Sequence, residues 1–296
     1  MGFKKLSNEQ ELILVEEYRS GASVKSLMEK YGYSTKKSIT DKVKKHYPDS
    51  YQQIIKEAKS SRKDYNYKLE EIKSEFDAYF IGLLATDGYV IPNKGVGIDL
   101  TDEDCIKFLS ETIGHNYKKY ESLAENSGFN SVLPRYRLIL SDIDLIKNLE
   151  RFSIIPNKSY TIHSMNLLNS EEKYIPYIIR GIIDGDGCVF STSYGAPAFY
   201  IVSMSESFID WIIYILENKM YMKDIKKRVS ENGLWRIETA LQENIEKLLA
   251  LSYNKPFGMS RKYKKLTKTF RDYNSTSLSS KDEGIVQTTT EIGLRN

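Results

Sequence analysis

The sequence predicts an α+β protein in which two copies of an αββαββα unit follow a small all-α domain. Two observations support this prediction: a nine-residue motif occurs twice, and strand-like and helix-like runs follow each copy in the same order. The N-terminal region, in contrast, contains only helical signals. At 296 residues, the chain is long enough for about two domains with cores of their own.

The composition excludes several classes of protein. Hydrophobic residues make up 41% and charged residues 28%, and no apolar run is long enough for a membrane span. The start of the chain lacks the apolar stretch of a secretory signal, so we expect a cytoplasmic protein. Two cysteines and three histidines are too few for a disulfide framework or for a zinc site. The chemistry must therefore depend on carboxylates, lysines and the backbone.

Residues 1–47 contain the signals of three short helices. Ser7 and Gln10 form a capping box, Ser23 begins the second helix, and Ser34 begins a third helix in which Ile39 and Val43 are four residues apart. The other faces of the third helix carry cations and hydroxyl groups, as a helix in a DNA major groove requires. This region resembles the helix-turn-helix domains of bacterial resolvases and phage proteins, and an ordinary helical bundle is the alternative. The candidate DNA contacts here are Lys36, Lys37, Thr40 and Lys44.

The basic residues are concentrated at both ends of the chain. Residues 1–68 hold 15 Lys or Arg against 9 Asp or Glu, and a run of cations without an acid extends from Lys255 to Arg271. Two such clusters with interleaved tyrosines favour a nucleic-acid partner. Residues 48–68 are predicted to be a helical and charged linker, and the Ser- and Thr-rich residues 274–296 a disordered tail.

The repeated motif defines the two units, which we place at residues 69–165 and 166–273. The segments Phe80–Gly88 and Ile179–Gly187 both have glycine at the third position and end in Asp-Gly. Two strand-like runs, a capped helix, two further strand-like runs and another capped helix follow each motif. The second of these caps, Ser141 and Thr239, falls 54 and 53 residues after the motif aspartate (141 − 87 and 239 − 186).

Small residues four apart in each motif predict that the two motif helices pack together. Gly82 with Thr86, and Gly181 with Gly185, allow a backbone-to-backbone approach. Each helix then ends in Asp-Gly, and we expect the glycines Gly88 and Gly187 in the left-handed conformation. Two aspartates brought together at negative helix ends repel each other, which a divalent cation would relieve.

The two motifs resemble the repeated motif of the LAGLIDADG homing endonucleases, in the single-chain form with two motifs. The resemblance covers about residues 70–273 and departs from the family pattern at Ala85, where the first motif lacks an aspartate, and at Arg180. It implies a site-specific endonuclease that cuts both DNA strands at a long asymmetric target with Mg²⁺ or Mn²⁺. By this resemblance Asp87 and Asp186 are catalytic, and the metal would be held by Asp87, Asp186, Gly88 and Gly187.

The same resemblance suggests further site residues. Lys158 and Lys262 are candidates for stabilising charge at the reacting phosphate, and ordinary phosphate contacts are an equal alternative. The paired strands would form two saddle-shaped sheets along the DNA. The outward candidates are Lys94, Lys118, Lys119, Arg135, Arg137, Tyr194, Lys226, Lys227, Arg228 and Arg236, and Arg261 is a further DNA-binding candidate.

Two other functions remain open from the sequence. A non-cleaving transcriptional regulator could use the same scaffold with a helix-turn-helix, and an intron maturase could use it to bind RNA. The intact pair of Asp87 and Asp186 favours the nuclease, because a protein that only binds does not need it. One chain carries both repeats, so we expect a monomer.

Overall fold

The computed structural model describes residues 6–61, 65, 67–121 and 134–286 of the chain. It divides into two compact units, Met1–Tyr67 and Lys68–Asn296. The second unit contains two four-stranded antiparallel sheets with helices, so the prediction of an α+β fold with two αββαββα repeats is confirmed. None of the helices among the described residues is long and apolar enough to cross a membrane.

Within its described residues, the N-terminal unit contains four helices. These are α1 (Asn8–Arg19), α2 (Val24–Tyr31), α3 (Lys36–His46) and α4 (Tyr51–Ser61). The capping box of Ser7 is present, and Thr35, one residue after the predicted start, caps α3. Ile54 and Ala58 of α4 are buried with the core residues of the other three helices, so this unit continues beyond residue 47 into the predicted linker.

The core-facing side of α1 is formed by Leu14, Val15 and Tyr18. Leu14 is fully buried, whereas Leu12 and Ile13 are 42% and 50% exposed. The same side of the helix carries Glu11, whose carboxylate is 3% exposed and accepts hydrogen bonds from Lys42, Lys45 and His46 of α3. A buried acid that binds cations from another helix is invisible to a search for apolar periodicity.

The first repeat follows the predicted order. It contains α5 (Glu75–Thr86), β1 (Gly88–Ile91), β2 (Gly95–Leu100), α6 (Glu103–Ile113), β3 (Lys118–Glu121), β4 (Pro134–Leu140), α7 (Ile143–Glu150) and the short α8 (Lys158–Thr161). Its sheet has the order β1-β2-β4-β3. Asp142, rather than Ser141, caps α7.

The second repeat has the same topology. A 3-10 turn (Asn169–Tyr174) leads into α9 (Ile175–Asp186), followed by β5 (Gly187–Ser191), β6 (Pro197–Ser203), α10 (Glu206–Asn218), β7 (Lys226–Val229), β8 (Trp235–Thr239), α11 (Gln242–Leu251) and α12 (Ser260–Val286). Its sheet has the order β5-β6-β8-β7.

Helix α12 continues past residue 273, where the sequence predicts the start of a disordered tail. Once the preceding turns are helical, each added residue gains a backbone hydrogen bond, so a Ser- and Thr-rich segment can extend the helix. The helical part of the predicted tail ends at Val286, and residues 287–296 lie outside the described part of the chain.

Buried and more exposed residues alternate along the strands, so the two faces of each sheet have different surroundings. In β4, Tyr136, Leu138 and Leu140 are buried, whereas Arg135 and Arg137 point to the other face. In the second sheet the buried face includes Val189, Phe199 and Ile237. Each sheet therefore has one face packed on the core and one free of it.

Candidate active site at the paired helix ends

The motif helices α5 and α9 are in direct backbone contact at their glycines. A Cβ atom placed on Gly82 would lie 2.1 Å from the carbonyl oxygen of Ile178, and one on Gly181 would lie 2.2 Å from that of Tyr79. Real Cβ atoms do not approach backbone atoms so closely, so only glycine fits at either position. At the next turn, a Cβ on Gly185 would lie 1.9 Å from the hydroxyl oxygen of Thr86.

The glycines that end the two motifs are not left-handed, contrary to the expectation from the sequence. Gly187 has φ −95° and ψ 164°, and Gly88 is likewise not among the positive-φ glycines. Each instead begins a strand that turns back over its own helix. A Cβ would lie 2.6 Å from the carbonyl oxygen of Leu84 at Gly88, and 2.6 Å from that of Ile183 at Gly187. Close approach, rather than left-handed geometry, therefore explains these two glycines.

The close packing brings the motif aspartates to one place. Asp87 caps the end of α5, Asp186 is the last residue of α9, and a Cβ on Gly185 would lie 3.3 Å from Oδ2 of Asp87. Partial burial, together with the negative charge of Asp186, raises the pKa of Asp87 to about 6. Burial also raises the pKa of Asp186, against the opposing effect of two nearby lysines. Two carboxylates with raised pKa values at one seam are a common sign of a functional site.

These two lysines are Lys158 and Lys262, and each one caps a motif helix. The ammonium of Lys158 donates to the carbonyl oxygen of Thr86 at 2.6 Å. The ammonium of Lys262 donates to the carbonyl oxygens of Ile183 and Gly187, each at 2.7 Å, and of Gly185 at 3.2 Å. Cations at these positions offset the negative ends of the helix dipoles, a role that sequence reasoning missed.

Burial of the two ammonium groups has an electrostatic consequence. Lys158 is 7% exposed and Lys262 is 5% exposed, and burial lowers the pKa of both. The negative charges of Asp87 and Asp186 oppose this decrease at Lys158, and those of Asp184 and Asp87 do so at Lys262. Two aspartates and two lysines thus interact where α5 and α9 end. The pKa of each of the four side chains is shifted toward neutral pH.

The side chains at the paired ends of α5 and α9 supply some, but not all, of the ligands that a hard divalent cation needs. Asp87 and Asp186 supply carboxylate oxygens, the ligands that Mg²⁺ prefers, and Asp186, although crowded by protein atoms on one side, keeps part of its surface open to solvent. Among the described residues, no group of three or more His, Cys, Asp or Glu side chains could enclose a metal. The remaining ligands would be water and substrate oxygens, as is usual for Mg²⁺. The carbonyl of Gly187 already accepts from Lys262, which weighs against its expected role as a metal ligand.

The first sheet places several predicted DNA contacts on its free face. Arg137 and Lys118 are directly opposite each other on β4 and β3, and Arg135 is exposed nearby. The guanidinium of Arg137 donates to both carboxylate oxygens of Asp99, at 2.8 Å and 2.7 Å. Arg137 is thus held rigidly across β2 and β4 before any partner binds.

The second sheet carries a similar set of charged side chains on its free face. Arg236 and Arg228 are cross-strand partners, and both bind Glu238, at 2.6 Å and 3.1 Å. Lys226 is exposed on the same strand as Arg228. Tyr194, in the β5–β6 turn, is 91% exposed.

Two predicted sheet contacts lie on the other face. Lys119 is opposite Tyr136 and Lys227 is opposite Ile237, and both of these partners belong to the buried side. Lys119 lies over the ring of Tyr136, and Lys227 binds Glu206 and Asp210 of α10. Consecutive strand residues point to opposite faces, so Lys118 and Lys119 could not both be outward, nor could Lys226 and Lys227.

The remaining predicted contacts lie elsewhere on the two units. Lys94 is exposed in the β1–β2 turn, and Arg261 binds Asp102, the residue before α6, through two hydrogen bonds. On α3, Lys36, Lys37 and Lys44 are exposed, and the hydroxyl of Thr40 donates to the carbonyl oxygen of Lys37. The spacing of Lys37, Thr40 and Lys44 puts them on one face of α3.

Comparison with known proteins identifies similar solved structures. No family model matches the chain, and no curated protein matches it. The LAGLIDADG meganuclease I-AabMI bound to uncleaved DNA is 12% identical, with a TM-score of 0.42, over 67% of this chain and 91% of its own. The I-LtrWI LAGLIDADG homing endonuclease bound to target DNA is 12% identical, with a TM-score of 0.44, over 68% and 91%. I-SmaMI bound to cleaved DNA is 9% identical, with a TM-score of 0.44, over 76% and 97%.

The chain's own residues are more informative than these distant similarities. Two Asp-Gly motifs end two helices that touch at Gly82 and Gly181, and each motif leads into a four-stranded sheet of the same strand order. Two such motifs and two such sheets in one chain are what the resemblance to the two-motif LAGLIDADG proteins predicts.

Proposed function

We propose that this protein is a site-specific endonuclease of the homing type, which hydrolyses both strands of a long, asymmetric DNA target. The observation that carries the proposal is the pairing of Asp87 and Asp186 at the matched ends of α5 and α9, each next to a buried lysine. A protein that only binds DNA gains nothing from two carboxylates with raised pKa values, placed so that the charge of Asp186 raises the pKa of Asp87. The solved structures similar to this chain include LAGLIDADG nucleases bound to DNA.

The two carboxylates would hold divalent metal, with Mg²⁺ or Mn²⁺ as the candidates. The metal, when bound, would lower the pKa of an attacking water and stabilise the leaving oxygen. Asp87 and Asp186 provide the negative charge that attracts it, one from each repeat. Because burial and Asp186 raise the pKa of Asp87 to about 6, metal binding at this carboxylate should strengthen as the pH rises through that value.

Lys158 and Lys262 would act on the phosphate or on its surrounding water. Their ammonium groups are buried beside the carboxylates and fixed by carbonyl oxygens, so they require little reorganisation when charge develops. Lys158 and Lys262 have related positions in the two repeats. This supports a role for one lysine in the cutting of each DNA strand. Hydrolysis of both strands by one chain is consistent with a monomer.

The rest of the molecule would bind DNA. The free faces of the two sheets carry different side chains, Arg137 with Asp99 in one and Arg236 with Glu238 in the other, so the two half-sites should differ in sequence. Helix α3 would act as the recognition helix of a helix-turn-helix and lengthen the contacted site. A DNA target is also consistent with action in the cytoplasm of a bacterium.

The decisive experiment incubates the full chain with its own flanking genomic DNA and Mg²⁺, and maps the ends produced. Asp186→Asn should bind the same DNA but cut it at least about 10³-fold more slowly, because the variant loses a metal-binding charge. Asp210→Asn, which changes an exposed acid of α10, serves as the matched control. Uncut DNA under a tight, Mg²⁺-independent footprint would instead indicate a regulator, and selective binding of intron RNA a maturase.

A further inference from the structure

Two charged side chains, Arg180 and Asp184, lie fully buried one turn apart in α9. Neither belongs to the proposed catalytic set. The corresponding residues of the first motif are Ile81 and Ala85, so this pair occurs only in the second repeat. Burying a charged group is costly unless hydrogen bonds compensate it. The partners of these two side chains therefore indicate their role.

Both side chains bind the segment that connects α11 to α12. Arg180 donates to the carbonyl oxygens of Ser252 at 3.1 Å and Lys255 at 2.7 Å, and also to that of Phe257. Its guanidinium lies 3.8 Å from the centroid of the Phe257 ring. These contacts fix the backbone at three points along residues 252–257.

Asp184 holds the end of the same segment. Its carboxylate accepts from the hydroxyl of Tyr253 at 2.7 Å and from the backbone N–H of Met259 at 3.0 Å. It also accepts from the hydroxyl of Tyr79 in α5, at 2.9 Å, so the same acid joins the two motif helices. Met259 is the last residue before α12.

The segment delivers Lys262 to the site. The backbone N–H of Lys262 donates to the carbonyl oxygen of Met259 at 3.2 Å, and the ammonium returns to the end of α9. The segment from Ser252 to Lys262 is therefore held first by Arg180 and then by Asp184. The side chain of Lys262 at its end binds the carbonyl oxygens next to Asp186. Lys158 reaches α5 from α8, and its contact with Thr86 involves neither Arg180 nor Asp184.

We propose that Arg180 and Asp184 are positioning residues that hold the ammonium of Lys262 beside the motif carboxylates. The catalytic consequence rests on the proposed function: the two active centres are built differently, and only the one served by Lys262 depends on this pair. Loss of the contacts that this pair makes with residues 252–259 should slow cutting of one DNA strand and spare the other.

The placement of Lys262 can be tested without activity or metal. In the full chain, amine-reactive labelling followed by mass spectrometry measures the accessibility of Lys262 and, as internal control, of Lys158. Arg180→Met and Tyr253→Phe should raise labelling of Lys262 by about tenfold, because buried hydrogen bonds are lost, and leave Lys158 unchanged. Leu216→Ala, a core substitution in α10 of the same repeat, controls for general destabilisation. If a folded Tyr253→Phe variant shows equal changes in the labelling of both lysines, or no change at either, the proposal is wrong.

A second measurement follows the two DNA strands separately on a plasmid that carries the target. Displacement of Lys262 should slow the cutting of one DNA strand by about 100-fold. Nicked circular plasmid should then accumulate with breaks in one strand only. Leu216→Ala should show no strand bias. If the parent protein does not cut, the proposed function fails, and the labelling experiment still decides whether Arg180 and Asp184 place Lys262. If the parent cuts and Tyr253→Phe slows both strands equally, the positioning role is wrong.

Discussion

Gly82 faces the carbonyl oxygen of Ile178 so closely that a single methyl group would lie 2.1 Å from that oxygen. The approach is reciprocal, because Gly181 faces the carbonyl oxygen of Tyr79 across the same contact. These glycines set the distance between α5 and α9, and thereby the distance between the carboxylates one turn further along. The stability of the fold and the geometry of the site depend on the same two positions.

Gly82→Ala should therefore destabilise the protein by about 3 kcal/mol, because the obstructing atoms are backbone and cannot rotate away. Denaturant unfolding of the full chain, followed by the fluorescence of Trp211 and Trp235, measures this change. Gly114→Ala is the matched control: its φ is +74° and a Cβ there meets no atom within 4 Å, so about 1 kcal/mol is expected. Equal losses in the two variants would contradict the close helix contact.

The pKa of Asp87 predicts a pH dependence of stability. Burial and Asp186 raise this pKa from 3.8 to about 6, so the folded state binds more protons than the unfolded state between these values. Stability should accordingly fall as pH rises from about 4 to 6, by at most about 3 kcal/mol, when metal is chelated. Asp87→Asn should lose the part of this dependence that Asp87 contributes, and it should be the more stable protein at pH 8.

Thermal unfolding in EDTA across this pH range, for the parent protein and Asp87→Asn, tests the prediction. Adding Mg²⁺ at pH 8 should raise the melting temperature of the parent protein and have a much smaller effect on Asp87→Asn. A parent protein that gains stability between pH 4 and 6 relative to the variant would refute the assignment.

The sequence predicted most of the fold because it is repetitive. The order of helices and strands in both repeats was predicted correctly by alternation and by the turns between the strands. What the sequence did not predict depends on contacts between distant segments. The capping of α9 by Lys262 joins residues almost 80 positions apart, and the buried Arg180 was visible only as a departure from a motif. Lys119 and Lys227 were misplaced because two adjacent lysines were assigned to one face of a strand.

Helix α3 offers a test of DNA binding by the N-terminal unit. Lys37 is exposed on the face that also carries Thr40 and Lys44, away from the buried Ile39 and Val43. Lys37→Ala should reduce the slope of log K against log salt by about 0.9, the value for one phosphate contact, without affecting stability. Lys25→Ala, an exposed lysine of α2 that is paired with Glu29, should leave the slope unchanged. Equal slopes for Lys37→Ala and the parent protein would exclude a phosphate contact at this position.

The ion pairs of Glu11 predict acid sensitivity of the N-terminal unit. Burial alone would raise the pKa of this carboxylate, but hydrogen bonds from Lys42, Lys45 and His46 lower it from 4.5 to about 2. The stabilisation, about 3 kcal/mol at most, is complete above pH 4.5 and is lost as pH falls toward 2. Glu11→Gln should remove this stabilisation at pH 7, whereas Glu9→Gln, at an exposed position of α1, should not.

Amide hydrogen exchange over α1–α4 measures the effect, while the fluorescence of Trp211 and Trp235, both in the second unit, should stay unchanged. If Glu11→Gln leaves exchange in α1 and α3 at the parental rate, the three hydrogen bonds do not stabilise this unit.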